Sequence, residues 1–164
     1  MTLARETILA AVRAARPPAV SYPAVVEGRE MAAESGDLLG RFEKEARTAA
    51  ADVVHVERAG LKRMVAEWSG YVCAAEFGVA ENGAVWLPGS RLEVRSALFL
   101  AEQVLVVLEK SAIVRDLHAA YARIDMTAET FGIFIAGPSK TADIEQALVI
   151  GAHGAKELTV VLVG

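Results

Sequence analysis

Cysteine is nearly absent from the 164 residues of this chain, because Cys73 is the only one. A disulfide within the chain needs two cysteines, and iron-sulfur clusters and multi-cysteine zinc sites need several. The three histidines include no pair at the i, i+4 spacing of a helical zinc site. The sequence therefore predicts no metal site, and any redox centre would have to come from another protein.

Positive charge and long apolar runs are also scarce. The chain carries 17 Lys and Arg against 21 Asp and Glu, a net charge of -4, so no overall basic field attracts nucleic acid. The longest apolar run, 97–107, is interrupted by Glu102 and Gln103 and is shorter than the roughly 20 residues of a membrane span. Charges are spread through the N-terminal residues, unlike in a signal peptide. These absences predict a soluble cytoplasmic protein with no membrane span and no nucleic-acid partner.

Apolar residues, by contrast, make up 54% of the chain, enough for the core of one domain. Apolar positions in 3–15 recur at three- and four-residue intervals, which indicates an amphipathic helix. Pro17 and Pro18 end it. Residues 1–36 are therefore predicted to form an N-terminal helix and linker arm, and 37–164 the compact domain.

Helices and strands are predicted to alternate through this domain. Helices are expected at 37–51 (capped by Asp37), 61–68, 112–124 (capped by Ser111) and 142–149, and strands at 53–56, 71–75, 104–108, 131–136 and 158–163. Asn82-Gly83 predicts a hairpin within 79–87, because both residues tolerate positive φ. The strands at 104–108 and 131–136 are typical of strands buried on both faces. The order favours an α/β fold with a mainly parallel, helix-flanked sheet.

Polar side chains concentrate in residues 131–154, FGIFIAGPSKTADIEQALVIGAHG. Gly137 follows a predicted strand, and Ser139, Lys140 and Thr141 open a predicted helix. Ligands of open α/β sheets bind beyond the carboxyl ends of strands, and helix N-termini favour anions. We therefore expect a small carboxylate or phosphate at this position. The alternative is purely structural, with Gly137 in the turn, Ser139 or Thr141 as the helix cap and Lys140 in solvent.

Asp143 lies in the first turn of the same predicted helix. A carboxylate there complements the helix dipole and needs no functional role. It also reduces the attraction for an anionic ligand, so Asp143 would instead orient a donor or bind a cation. It is retained as a candidate ligand-binding residue.

His153 and Glu81 are the candidate catalytic residues. His153 stands between small residues in Gly151-Ala152-His153-Gly154, where it could act as acid, base or hydrogen-bond donor. The alternative is a loop histidine bonded to the backbone. Glu81 would need burial or a neighbouring charge to act as nucleophile or base, and is otherwise an exposed acid at a strand end. Trp86 is expected in the core or at an interface, and the segment 98–100 in the core.

Three blocks carry a family resemblance: AEFGVAENGAVWLPG, AEQVLVVLEKSAIVRDL and IFIAGPSKTADIEQALVIGAHGAKELTVVLV. In them the chain resembles the lactate-utilisation protein C family, which carries the LUD domain. The similarity runs through 52–163. It implies a Rossmann-like α/β domain similar to the NagB/RpiA/CoA-transferase-like fold of sugar-phosphate isomerases and CoA transferases. The wider family often has Thr-Gly-Thr where this chain has Asn82-Gly83-Ala84, and Glu81 with these residues is similar to the Glu-Asn-Gly of class I CoA transferases.

The resemblance also implies a function. It predicts a subunit of a multi-component system that oxidises L-lactate to pyruvate, in which two partner proteins hold iron-sulfur clusters. This chain would bind no cofactor and have no redox centre of its own. The alternatives are a separate enzyme or sensor for a small carboxylate, phosphate or acyl-CoA, and an assembly factor.

Overall fold

A computed structural model describes residues 2–16, 36–125, 127–144, 147–151 and 154–164. The chain divides into two compact units, Met1–Glu34 and Ser35–Gly164. The division expected from the sequence, into an N-terminal arm at 1–36 and a compact domain at 37–164, stays a prediction. In the first unit a helix, α1 (Thr2–Ala14), exposes Ile8 and Val12. Among the described residues, no helix combines the length and apolar character needed to cross a membrane.

The second unit alternates helices and strands. Its elements are α2 (Leu38–Thr48), β1 (Asp52–Val56), α3 (Arg58–Glu67), β2 (Tyr71–Ala74), β3 (Phe77–Val79), β4 (Ala84–Pro88), α4 (Arg95–Leu100), β5 (Gln103–Glu109), β6 (Ile113–Val114), α5 (Leu117–Arg123), β7 (Gly132–Ile135), β8 (Lys140–Ile144), β9 (Ala147–Ile150) and β10 (Glu157–Val163). Short 3₁₀ turns follow β4 and β5.

A parallel sheet forms the centre of this unit, in the order β1-β10-β5-β2. Val160 of β10 pairs with Val53 on one side and with Val106 on the other, and all three are buried. The central strands are continuous apolar runs because helices and the second sheet leave them little contact with water. The predicted α/β fold with a mainly parallel, helix-flanked sheet is confirmed.

A mixed sheet in the order β6-β3-β4-β7 packs beside it. Strands β3 and β4 form the predicted antiparallel hairpin around Asn82 and Gly83. The side-chain Oδ1 of Asn82 accepts a hydrogen bond from the Ala84 N–H at 3.0 Å, and Gly83 has φ +68°. The hairpin was predictable because this turn chemistry is local.

The predicted helix at 112–124 is wrong in its first half. Residues 110–112 form a 3₁₀ turn, and β6 then pairs in parallel with β3. The helix α5 begins at Leu117, where the Asp116 carboxylate accepts a hydrogen bond from the Ala119 N–H at 2.8 Å. The β-branched residues Ile113 and Val114 pair with β3 in the mixed sheet. Asp116, and not Ser111 as predicted, is the N-cap of the helix.

The interpretation of residues 131–149 also needs correction. Strand β7 lies at the edge of the mixed sheet, antiparallel to β4, and its residues are half-buried rather than enclosed on both faces. The predicted helix at 142–149 is absent. The described residues form an antiparallel pair of strands, β8 and β9, in which Thr141 is opposite Val149. Several β-branched residues favour strands here, and pairing between the strands outweighs the helical spacing.

The C-terminus of α2 ends in a Schellman motif with alanine at its left-handed position. Ala50 has φ +67°, its N–H donates to the Arg47 carbonyl, and the Ala51 N–H donates to the Ala46 carbonyl, both at 2.9 Å. Glycine usually occupies this position because a Cβ is disfavoured at positive φ. Residue 50 is therefore a strained point in an otherwise regular cap.

Replacing Ala50 by glycine is expected to raise the free energy of unfolding by about 0.5–1 kcal/mol. Relief of the left-handed strain exceeds the extra chain entropy that glycine gives the unfolded state. Urea denaturation measures the difference. The matched control is Ala49→Gly, since Ala49 has φ -75° and gains no relief. Equal effects of the two substitutions would contradict the explanation.

Candidate functional site

Gly137 occupies a tightly packed turn after β7. It is buried and has φ +72°, and a Cβ there would overlap the carbonyl oxygen of Ala49 at the end of α2. Both the backbone conformation and the lack of space require glycine. The turn therefore fixes the candidate segment against α2.

Ser139 is tied to the chain that precedes β10. Its N–H donates to the Ala155 carbonyl at 2.9 Å, and its carbonyl accepts from the Gly151 N–H at 2.9 Å. The first bond uses the Ser139 N–H, the backbone group that a bound anion would otherwise contact. Its half-buried hydroxyl is the part of Ser139 left for a ligand.

Lys140 lies at the C-terminus of α2. Its Nζ donates a hydrogen bond to the Ala49 carbonyl, the C-cap position of that helix. A cation there satisfies a free carbonyl and complements the negative end of the helix dipole. This contact gives Lys140 a structural role, and the helix N-terminus that was expected to support an anion next to it does not form.

An apolar cleft of about 150 Å³ adjoins this segment. Gly137, Ser139 and Gly154 line it together with Leu98, Phe99, Val104, Ile133, Ile135, Ala155 and Leu158. The Ser139 hydroxyl is the one polar side-chain group among these residues. The volume of the cleft suits a ligand of a few heavy atoms, since sites for drug-sized ligands start at roughly 300 Å³.

The other residues predicted in this segment contribute no described side chain. Thr141 and Asp143 lie in β8, where the structure describes the backbone only. His153 lies outside the described residues. The roles predicted for these three residues stay predictions.

Glu81 contacts the N-terminus of α5, away from the Ser139 segment. Its Oε2 accepts a hydrogen bond from the Leu117 N–H at 3.0 Å, at the first turn of α5. Asp116 caps the same turn, and the pKa of its carboxyl is lowered by the Ala119 N–H and by Arg115. Glu81 thus accepts a hydrogen bond from a free backbone N–H at a helix N-terminus. This structural role explains Glu81 without any function as a nucleophile.

Cys73 is a buried thiol in β2. Burial raises its pKa to about 12, so the reactive thiolate is scarce at neutral pH. In the part of the chain that the structure describes, no group of three or more His, Cys, Asp or Glu residues is arranged to hold a metal ion.

Helix α4 was not predicted from the sequence. Segment 98–100 was expected in the core, yet only Leu98 is buried there, while Phe99 is 41% and Leu100 80% exposed. A helix of six residues can bury one narrow face, and the next residues leave it for β5. Phe99 consequently forms a wall of the apolar cleft, which a reading of the apolar run did not reveal.

Comparison with known proteins places the chain in a family. The family model of the LUD domain matches residues 4–163, nearly the whole chain. The chain belongs to the LUD domain family. This match confirms the resemblance carried by the three sequence blocks.

The LUD domain chain is similar to curated proteins of several bacteria. It is 34% identical over 90 residues to "Lactate utilization protein C" of Anoxybacillus flavithermus, a match covering 54% of this chain and 41% of that protein. It is 37% identical over 90 residues to "Uncharacterized protein YkgG" of Escherichia coli, covering 51% and 38% respectively. The chain thus spans about two fifths of the length of the curated relatives it matches.

A solved structure supports the fold. The crystal structure of a DUF162 family protein from Deinococcus radiodurans matches with a TM-score of 0.56 and 15% identity. The match covers 77% of this LUD domain chain and 96% of that protein. At this identity the likeness concerns the fold alone.

Proposed function

We propose that this LUD domain chain is a non-redox subunit of a multi-component system for L-lactate utilisation. The observation that carries the proposal is its 34% identity over 90 residues to a protein named lactate utilization protein C. The family match over residues 4–163 supports it. The system as a whole would oxidise lactate to pyruvate in the cytoplasm.

Two iron-sulfur proteins are the proposed partners. Oxidation of lactate to pyruvate releases two electrons and two protons, and the electrons need an acceptor. Cys73 is the only cysteine of this chain and is buried with a raised pKa, so it does not provide the thiolates of a cluster. The acceptor clusters would therefore lie in the partners, and this chain would bind no cofactor itself.

Gene deletion in the source organism tests the proposal directly. Loss of this chain should abolish L-lactate-dependent electron transfer in cell extracts, and the wild-type gene should restore it. Pyruvate-dependent growth is the control and should be unaffected. Unchanged lactate oxidation in the deletion strain would contradict the proposal.

The proposed partner surface is the apolar stripe of α1. Ile8 and Val12 are each 63% exposed and lie one helical turn apart, so they form a small patch that a partner could cover. Ile8→Glu with Val12→Glu should abolish co-purification with the two iron-sulfur proteins. Ala10→Glu is the matched control, because Ala10 is exposed on the opposite face. Retention of both partners by the double variant would show that they bind elsewhere.

The apolar cleft beside Ser139 favours a second candidate, the binding of a small monocarboxylate by the chain alone. L-Lactate or pyruvate would place its methyl group among the apolar residues and accept a hydrogen bond from the Ser139 hydroxyl. Thermal unfolding with each acid tests this, with Ser139→Val as the variant that fills the cleft. A stabilisation by either acid that persists in Ser139→Val would exclude the cleft as its site.

A further inference from the structure

Aromatic residues are scarce in this chain, yet four of the ten line one cleft. Trp86 comes from β4, Tyr121 from α5, Phe134 from β7, and Phe131 from the residue before β7. The cleft has a volume of about 360 Å³. This is within the roughly 300–1,000 Å³ typical of small-molecule sites, which are commonly lined by aromatic side chains.

The rings form a continuous wall that runs from the core to the surface. The centroids of Trp86 and Phe134 are 4.6 Å apart, and those of Phe134 and Tyr121 are 5.7 Å apart. Trp86 is 7% exposed whereas Tyr121 is 62% exposed. Neighbouring rings are tilted by 45° and 56° from one another. Hydrophobic burial explains the inner rings, but it does not explain why the outermost ring extends the wall into solvent. A flat ligand would cover that ring.

Gly132 holds the inner end of this wall in place. It pairs with Pro88 across β4 and β7, and a Cβ at this position would overlap the Trp86 ring. The indole therefore lies directly on the backbone of β7. Sheet pairing between β4 and β7 fixes this inner end of the wall, so that part is pre-formed for a rigid ligand, whereas the outer ring of Tyr121 lies on α5.

One charged side chain, Glu129, lies among the described residues that line the cleft. Its carboxylate accepts hydrogen bonds from both the N–H and the hydroxyl of Ser90, which fix its position. Ring faces and a carboxylate both attract cations. Arg95 already illustrates this preference, with its guanidinium 5.0 Å from the centre of the Phe131 ring. Arg95 thereby occupies Phe131, and Trp86 is almost fully buried, so the rings of Phe134 and Tyr121 remain for a ligand.

We propose that this cleft binds a small molecule with a flat aromatic ring that carries a positive charge, of the N-alkylpyridinium or quinolinium class. The ring stacks on the exposed Tyr121 ring with its edge toward Phe134, whose plane is tilted by 56° from that of Tyr121, and Glu129 supplies the counter-charge. The site is separate from the Ser139 cleft, and the proposal is independent of the role in lactate utilisation.

N-Methylquinolinium is the test probe, because it is flat and cationic and quenches tryptophan fluorescence. The titration uses the full chain carrying Trp68→Phe, so that Trp86 in the cleft is the remaining tryptophan reporter. Saturable quenching is expected, with neutral quinoline binding about fivefold or more weakly and naphthalene-2-sulfonate not binding. Quenching that rises linearly without saturation, or equal binding of the anion, overturns the proposal.

Two substitutions locate the site on this protein. Tyr121→Ala is expected to raise the dissociation constant for N-methylquinolinium about tenfold, and Glu129→Gln about fivefold. Glu129→Gln should leave the weaker binding of quinoline unchanged, because only the charge is removed. Phe99→Ala is the control, a partly exposed aromatic residue that lines the Ser139 cleft and not this one. Equal effects of Phe99→Ala and Tyr121→Ala overturn the assignment.

A guanidinium group is the competing ligand chemistry. An arginine side chain of another protein is also flat and cationic, and would stack on the same rings. N-Acetylarginine amide represents it in the same titration. Weaker binding of this compound than of N-methylquinolinium supports an aromatic small molecule, and tighter binding overturns that ligand class.

Discussion

Replacing Gly137 by alanine is expected to lower the free energy of unfolding by about 2–5 kcal/mol. A left-handed conformation costs an alanine about 1–2 kcal/mol, and relief of a backbone overlap typically costs about 1–3 kcal/mol more. Gly137 has φ +72°, and its Cβ would overlap the Ala49 carbonyl oxygen. Movement of this turn would also disturb the contact of Lys140 with the same carbonyl.

Urea denaturation of the purified chain measures this effect. Gly60→Ala is the matched control, since Gly60 lies within α3 and its Cβ would meet only the Val56 side chain, at 3.3 Å. That substitution should change the free energy of unfolding by about 1 kcal/mol or less, because alanine favours helix and the contact is only slightly tight. If both variants unfold at the wild-type urea concentration, Gly137 is not packed as described.

Replacing Phe42 by alanine is expected to lower the free energy of unfolding by about 3–5 kcal/mol, as large core truncations do. Phe42 on α2 has no solvent exposure and belongs to the core cluster that includes Leu87 and Leu108. Its ring lies against Gly78 of β3, where a Cβ would be 2.8 Å from Cε2. The substitution would thus open a cavity between α2 and the mixed sheet. The loss is a large part of the roughly 5–15 kcal/mol that stabilises a typical domain.

Two further variants separate cavity formation from a general effect of removing phenylalanine. Phe42→Leu should cost clearly less than Phe42→Ala, because it keeps much of the volume. Phe99→Ala should cost about 1 kcal/mol or less, since Phe99 is 41% exposed. A Phe42→Ala variant as stable as Phe99→Ala would contradict the assignment of Phe42 to the core.

Local chemistry explains why some elements could be predicted. Asp37 begins α2 because its side chain accepts a hydrogen bond from the Gly40 N–H at 2.9 Å, three residues away. Asn82 and Gly83 form their turn from bonds within two residues. The apolar runs of β5 and β10 are continuous, as in strands buried on both faces, and a surface strand would alternate with polar residues. In each case the deciding interaction lies between residues close together in the sequence.

The predictions from sequence were wrong where contacts with residues distant in the chain determine the structure. Ile113 and Val114 join a strand because β3 is next to them in space, not because of their neighbours in sequence. Lys140 has the appearance of an anion-binding residue, but its ammonium meets Ala49, 91 residues earlier in the chain. Glu81 likewise meets the start of α5, 36 residues later. No pattern within a short segment contains such contacts.

The sequence by itself determined the family, the α/β class and the scarcity of thiols and positive charge, because these depend on residue types and on local spacing. Tertiary structure alone decided that Lys140 and Glu81 satisfy helix ends, that Ser139 borders an apolar cleft and that four scattered aromatic residues line another. The reason is physical: a side chain's chemistry depends on which groups desolvate it and pair with it, and most of those groups come from remote parts of the chain.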